Sequence, residues 1–196
     1  MKQICVFDAH CDTISRCWRD YEGLDRNTGM ISLERTAGFA RYCQFFALWT
    51  ADGYTGYPAG GDSVERAYFA LLRCFRDQMA RNAGKIVQCR TAQEAECAHR
   101  QGKAAAFLTV EGAELLGCDP ARLEEAVVEG VVAINLTWSR ANALSGSSGE
   151  QPERGLSPLG RQFVEKMEDL HILVDVSHLS EAGFWDVAEL AHRPFL

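Results

Sequence analysis

Five near-continuous apolar runs constrain this chain more than any other feature. They are residues 4–8 (ICVFD), 42–49 (YCQFFALW), 104–110 (AAAFLTV), 131–136 (VVAINL) and 172–176 (ILVDV), and helical patterns separate most of them. A strand that faces solvent on one side alternates apolar with polar. A run that is apolar throughout belongs to a parallel strand covered on both faces. Strands of that kind joined through helices make an α/β fold, with a barrel and an open doubly wound sheet both still allowed.

The helices announce themselves through their start signals. Asp62-Ser63-Val64-Glu65 and Thr91-Ala92-Gln93-Glu94 have capping-box form and predict helices to about Arg81 and about Gln101. Asp119-Pro120 and Ser157-Pro158 each place a capping side chain before a proline at the first helical position. Those helices should end near Gly130 and Leu170, and Ser180 should cap a last one running to about Ala191. Residues 14–40 give no clear pattern, 52–61 read as a Gly-rich loop, and 139–155 read as a loop rich in Ser and Gly. Arg193-Pro194-Phe195-Leu196 reads as a strand just beginning. No internal repeat or linker divides the chain, so residues 1–196 are expected to form one domain.

Charge and composition exclude several classes. With 20 Lys and Arg against 27 Asp and Glu, the net charge of −7 argues against a nucleic-acid binder. No stretch approaches the roughly 20 apolar residues of a membrane span. The start, Met1 to Asp8, turns polar too soon for a secretory signal, which predicts a cytoplasmic protein. Eight cysteines (5, 11, 17, 43, 74, 89, 97 and 118) form no C-x-x-C pair, which counts against a structural zinc ribbon, and free thiols are expected. Cys5, Cys43 and Cys74 fall in apolar runs, where a thiol acts as a small hydrophobe.

The polar residues that carry chemistry recur at one place in this pattern. His10 and Asp12 follow the first run, Glu111 follows the third, and His178 follows the last complete one. These are C-terminal strand ends, where α/β barrels build their active sites. Residues two apart in an extended segment point the same way, so His10 and Asp12 can face one ion while Cys11 faces away. A carboxylate such as Glu111 can bridge two divalent ions, and His178 can offer a neutral imidazole. Each residue also has a bland reading: a helix cap for the H-x-D triplet, a solvated side chain for Glu111, a backbone-bonded loop histidine for His178. Their occurrence at successive strand ends favours the ligand reading. His99, His171 and His192 fall within or beside helix patterns and are expected at the surface.

Five ordered segments carry a specific resemblance. Phe7-Asp8-Ala9-His10-Cys11-Asp12-Thr13, Leu108-Thr109-Val110-Glu111-Gly112, Ile134-Asn135-Leu136-Thr137, Gly155-Leu156-Ser157-Pro158-Leu159-Gly160 and Val174-Asp175-Val176-Ser177-His178-Leu179-Ser180 resemble the membrane dipeptidase (renal dipeptidase) family, peptidase family M19, in order and spacing. The resemblance implies a (β/α)8 metal-dependent hydrolase barrel, TIM-like and of the amidohydrolase kind, with two Zn2+ ions. It implies that His10 and Asp12 bind one zinc, that Glu111 bridges both, and that His178 binds the other. The implied activity is hydrolysis of dipeptides, often with a D-residue at the second position, by a metal-activated water. Glu111 and Asp12 would be the catalytic carboxylates, with Asp12 also able to handle protons. Family members often dimerise, so a homodimer is a further implication.

Two departures from the family pattern qualify these expectations. The second zinc takes another histidine, in a Ser-His-Ser type segment on the following strand, and that segment is not among these residues. About five strands and the start of a sixth, against the eight of a closed barrel, predict an incomplete catalytic barrel holding one zinc or none. Where family dipeptidases commonly carry a histidine after Leu-Thr, this chain has Trp138, a candidate substrate-binding residue whose indole donates one hydrogen bond and carries no charge. That exchange leaves room for two alternatives: a related metallohydrolase acting on another amide, a lactone or a lactam, or a truncated inactive remnant.

Overall fold

In a computed structural model, residues 4–49 and 64–196 are described. The chain divides into two units, Met1–Thr109 and Val110–Leu196. The Gly-rich stretch 52–61 and the cap residues Asp62 and Ser63 lie outside the described residues.

The first unit is built on parallel strands. Strand β1 (Cys5–Cys11) pairs in parallel with β2 (Arg41–Trp49), with Cys5 opposite Arg41 and Asp8 opposite Gln44. The register then shifts before Cys11 meets Phe46. Strand β3 (Ile86–Gln88) pairs in parallel with β4 (Ala104–Glu111), whose last two residues fall in the second unit. Four helices join them: α1 (Thr13–Asp20), α2 (Leu33–Thr36), α3 (Val64–Arg81) and α4 (Ala92–Arg100). Thr91 caps α4 as the sequence predicts, its hydroxyl accepting from the Glu94 N–H at 3.2 Å. Phe46, Leu48, Tyr68, Leu71, Phe75 and Ile14 are fully buried and form the centre of this unit's core.

Three expectations change here. Residues 4–8 were expected as a buried strand, but β1 runs on to Cys11 and its side chains alternate in exposure, with Ile4 and Phe7 largely in solvent. Among the described residues of this unit β1 pairs with β2. Strand β3 adds to the predicted set; three residues are too short to leave a readable period in the sequence. Residues 14–40 contain α1 and α2, joined by irregular backbone that side chains satisfy. Gln78 Oε1 accepts from the Leu24 N–H at 2.7 Å, and Asn27 Nδ2 donates to the carbonyls of Gly23 and Ile31.

The second unit repeats the strand–helix alternation. After β4 come two short 3-10 turns (113–116 and 120–122), α5 (Leu123–Glu129), β5 (Val131–Asn135), α6 (Pro158–Asp169), β6 (Leu173–Asp175) and α7 (Glu181–Leu190). β5 and β6 are parallel, with Asn135 opposite Asp175. The helix predicted from Asp119 starts as a 3-10 turn and becomes α-helical only at Leu123; it ends at Gly130, whose φ of +90° suits glycine. Ser157 and Ser180 cap α6 and α7 by accepting from the N–H groups of Gly160 and Gly183. Phe163, Val164 and Met167 give α6 a fully buried face, each worth about 1.5–3 kcal/mol of burial. The Leu196 N–H donates to the Val174 carbonyl and the Leu196 carbonyl accepts from Val176, the exchange expected of a parallel strand beside β6. No helix among the described residues is long and apolar enough to cross a membrane.

Candidate metal centre

In the first unit, β1 delivers His10 and Asp12 to one place. The Asp8 carboxylate accepts from the His10 N–H at 3.2 Å, where the β1–β2 register shifts. Asp12 stands at the N-cap of α1, yet its side chain makes no capping bond. An aspartate there ordinarily accepts from the N–H groups of the first turn. Instead, Asp12 Oδ1 lies 3.5 Å from His10 Nε2, and both side chains are partly open to solvent. The helix-cap reading of the H-x-D triplet is therefore set aside. Cys11, between them, is buried, and burial pushes its thiol up to about 12.

In the second unit, Glu111 and His178 meet. Glu111 ends β4 with 4% of its surface exposed, and its Oε1 lies 3.0 Å from His178 Nε2. Gly112 follows at φ +91°, where an added Cβ would come within 2.5 Å of Glu114 Oε2, so the turn after Glu111 needs glycine. His178 has a left-handed backbone of its own, with φ +66°. Non-glycine residues in that region concentrate at functional sites. The turn carrying it is held by Asp175 Oδ1, which accepts from Ser177 N–H at 2.8 Å, and by Ser148 N–H, which donates to the His178 carbonyl at 2.9 Å. Trp138 is half-buried beside this strand end, its Cβ 3.9 Å from the position a Gly112 Cβ would take.

His10 and Asp12 in the first unit and Glu111 in the second are side chains of the kinds that hold a metal ion. One imidazole and two carboxylates suit zinc and other borderline or hard divalent cations. The chemistry of the donors thus fits a metal. The remaining histidines do not join them. His171 and His192 are exposed, as expected. His99 departs from its expected surface position: it is half-buried on α4 against β2, with Nε2 3.3 Å from the Tyr42 carbonyl and 3.7 Å from Cys43 Sγ. All eight cysteines are unpaired, as expected. Cys5 is exposed, however, unlike the apolar packing expected of it, because β1 is open on that face.

The sequence reading missed the ordering of residues 139–155. Leu144, Ser145 and Ser147 are fully buried, and Arg154 Nη2 donates to the carbonyls of Asn142 and Ser145. Arginine among serines and glycines resembles any solvated loop, so no pattern marked it.

Comparison with known proteins gives one consistent picture. The family model described as membrane dipeptidase (peptidase family M19) matches residues 1–196. A solved metallopeptidase of that family, dipeptidase AC, superposes with a TM-score of 0.83 at 29% identity, covering 99% of this chain and 62% of its own. A metallopeptidase from Rhodobacter sphaeroides, solved with a phosphinate mimic of the dipeptide L-Ala-D-Ala, superposes with a TM-score of 0.80 at 27% identity, covering 99% of this chain and 64% of its own. An uncharacterized dipeptidase of Schizosaccharomyces pombe is 34% identical over 117 residues, 57% of this chain and 28% of its own. The chain thus spans less than two thirds of the length of these relatives. The likeness bears out the α/β class and the TIM-like barrel type expected from the sequence.

Proposed function

The chain belongs to the membrane dipeptidase family, peptidase family M19, a family of metallopeptidases, and on that footing we propose that it carries the metal-binding part of a zinc-dependent dipeptidase. In the whole protein, His10 and Asp12 would hold one zinc, His178 would hold the other, and Glu111 would be the carboxylate common to both. When bound, such a pair lowers the pKa of a shared water and polarises the scissile carbonyl. The chain's residues supply the rest. Glu111 would bring its negative charge to the site on a backbone fixed by strand β4. Asp12, uncapped and partly solvated, is free to accept a proton from the attacking water and pass it toward the leaving amine. Trp138 walls the site beside Gly112 and can donate one hydrogen bond to a substrate oxygen.

The single observation that carries this reading is the Glu111–His178 contact. A buried carboxylate and an imidazole far apart in sequence meet at 3.0 Å at the ends of two strands. The substrate class is a dipeptide, with a D-residue tolerated at the second position. The relative from Rhodobacter sphaeroides takes a phosphinate mimic of L-Ala-D-Ala, whose tetrahedral phosphorus imitates the hydrated peptide. In a version extended to the length of the solved relatives, metal analysis should find close to two zinc ions. His10→Ala should lower both metal content and hydrolysis of L-Ala-D-Ala; unchanged turnover would end the proposal.

Trp138 supports a second reading, hydrolysis of another amide, a lactone or a lactam, because it replaces a histidine common in the family's dipeptidases. A panel of dipeptides, acyl-D-amino acids and lactones separates the two. Eight unpaired thiols favour a reducing compartment, so we place the protein in the cytoplasm.

A further inference from the structure

The segment 139–155 has no regular secondary structure, yet it is fastened from both sides. Arg154 closes it. Its Nη2 donates to the Asn142 carbonyl at 2.5 Å and the Ser145 carbonyl at 2.6 Å. Its own carbonyl accepts from Gly146 N–H at 3.2 Å and from Ser180 Oγ at 2.7 Å. Gly146 packs so closely on the Gln151 and Arg154 carbonyls that a Cβ there would collide with both. From the edge of this closed loop, Ser148 N–H donates to the His178 carbonyl at 2.9 Å, and Ser147 forms an antiparallel bridge with Leu179.

The guanidinium is an expensive choice for a loop staple. It is half-buried, its Nε is buried without a partner among the described residues, and no carboxylate among them pairs with it. Burying a charge without a counter-ion is unfavourable unless the bonds it makes are strong and fixed in direction. Here the direction is the point. The bonds close the loop whose far edge grips the backbone of His178, a residue in the left-handed region with its imidazole against Glu111.

We propose that Arg154 is a positioning residue for His178. By closing residues 142–154 it holds the Ser147–Ser148 edge against the turn at 176–179, and so keeps the His178 imidazole aimed at Glu111. The inference rests on the reading of Glu111 and His178 as metal ligands, but the clamp itself is a property of the metal-free chain.

The test uses the 196-residue chain as wild type, Arg154→Ala and Arg154→Lys, followed by NMR. In the metal-free Arg154→Ala protein, the Ser148 amide should exchange at least ~10-fold faster, while the Phe184 amide inside α7 keeps its protection. On addition of Zn2+ alone, the concentration needed to shift the His178 imidazole resonances should rise ~10- to 100-fold, with the His10 response unchanged. Arg154→Lys, which retains a cation able to reach the carbonyls, should restore part of both effects. Exchange at Ser148 and a His178 response equal to wild type would overturn the proposal, as would a uniform loss of protection that includes Phe184. If the wild-type chain takes up no Zn2+, the metal reading is decided on the version extended to the length of the solved relatives. Ser148 exchange then decides the clamp alone: faster upholds it, unchanged rejects it.

Discussion

The two pairs of candidate ligands, one in each unit, are built in opposite ways. His10 and Asp12 come from one short stretch of β1, are partly solvated, and face each other because of where a strand ends. Glu111 and His178 come from separate strand ends; the carboxylate is buried and the histidine is held by a turn, a loop and a left-handed backbone. The first pair depends on local geometry and little else. The second depends on the folding of everything between residues 112 and 178. Damage to the first should therefore change ligand binding without changing stability, whereas damage to the second should change both.

The largest effect is expected at Glu111. Glu111→Gln keeps the shape and removes the charge, and zinc affinity measured by competition with a chelator should fall by more than ~100-fold, beyond what loss of an outer-shell partner costs. Next comes Gly112→Ala. An alanine at φ +91°, crowded by Glu114, should cost about 1–3 kcal/mol, read as a lower midpoint in urea unfolding. Asp12→Asn tests the contrast most directly. Because Asp12 makes no capping bond, stability should change by less than ~0.5 kcal/mol, while Ser180→Ala, which removes a real cap, should cost ~1 kcal/mol. A loss of stability at Asp12 equal to that at Ser180 would erase the difference between the pairs.

The smallest effect concerns the thiols. Burial raises Cys11, Cys17 and Cys118 from 9.0 to about 12. A folded-state value above the unfolded one means that the native state holds its protons more tightly. Their contribution to stability is complete below pH 9 and is lost as the pH rises toward 12. Denaturant midpoints should therefore decline over that range. Near neutral pH, a thiol reagent should label Cys5 and Cys97, which are exposed, before the buried Cys11, Cys17, Cys89 and Cys118.

The same contrast explains what the sequence disclosed. Helices with a capping serine or threonine were legible because the cap is a local bond, and Thr91, Ser157 and Ser180 make the predicted ones. Strands β2, β4 and β5 were legible as long apolar runs. β3 was not, since three residues carry no period, and the solvent-facing side of β1 was not, since composition does not report which strands flank it. The closeness of His10 and Asp12 followed from their spacing, two residues apart along one extended stretch. His178 was found by its place after a strand, but its left-handed backbone and its clamp were hidden, because Arg154 and the serines around it act through carbonyl and amide groups that every residue has. The half-burial of His99 was hidden for a similar reason: its contacts are with β2, remote in sequence.

The central proposal is that His10, Asp12, Glu111 and His178 are metal ligands of the whole protein. The most direct test is the zinc content of a purified version extended to the length of the solved relatives, after dialysis against buffered zinc, measured beside His10→Ala and Glu111→Gln with circular dichroism as the check on folding. The account predicts bound zinc in the wild type and its loss in both variants with the fold intact. Equal zinc in all three proteins, or none in the wild type, would contradict it.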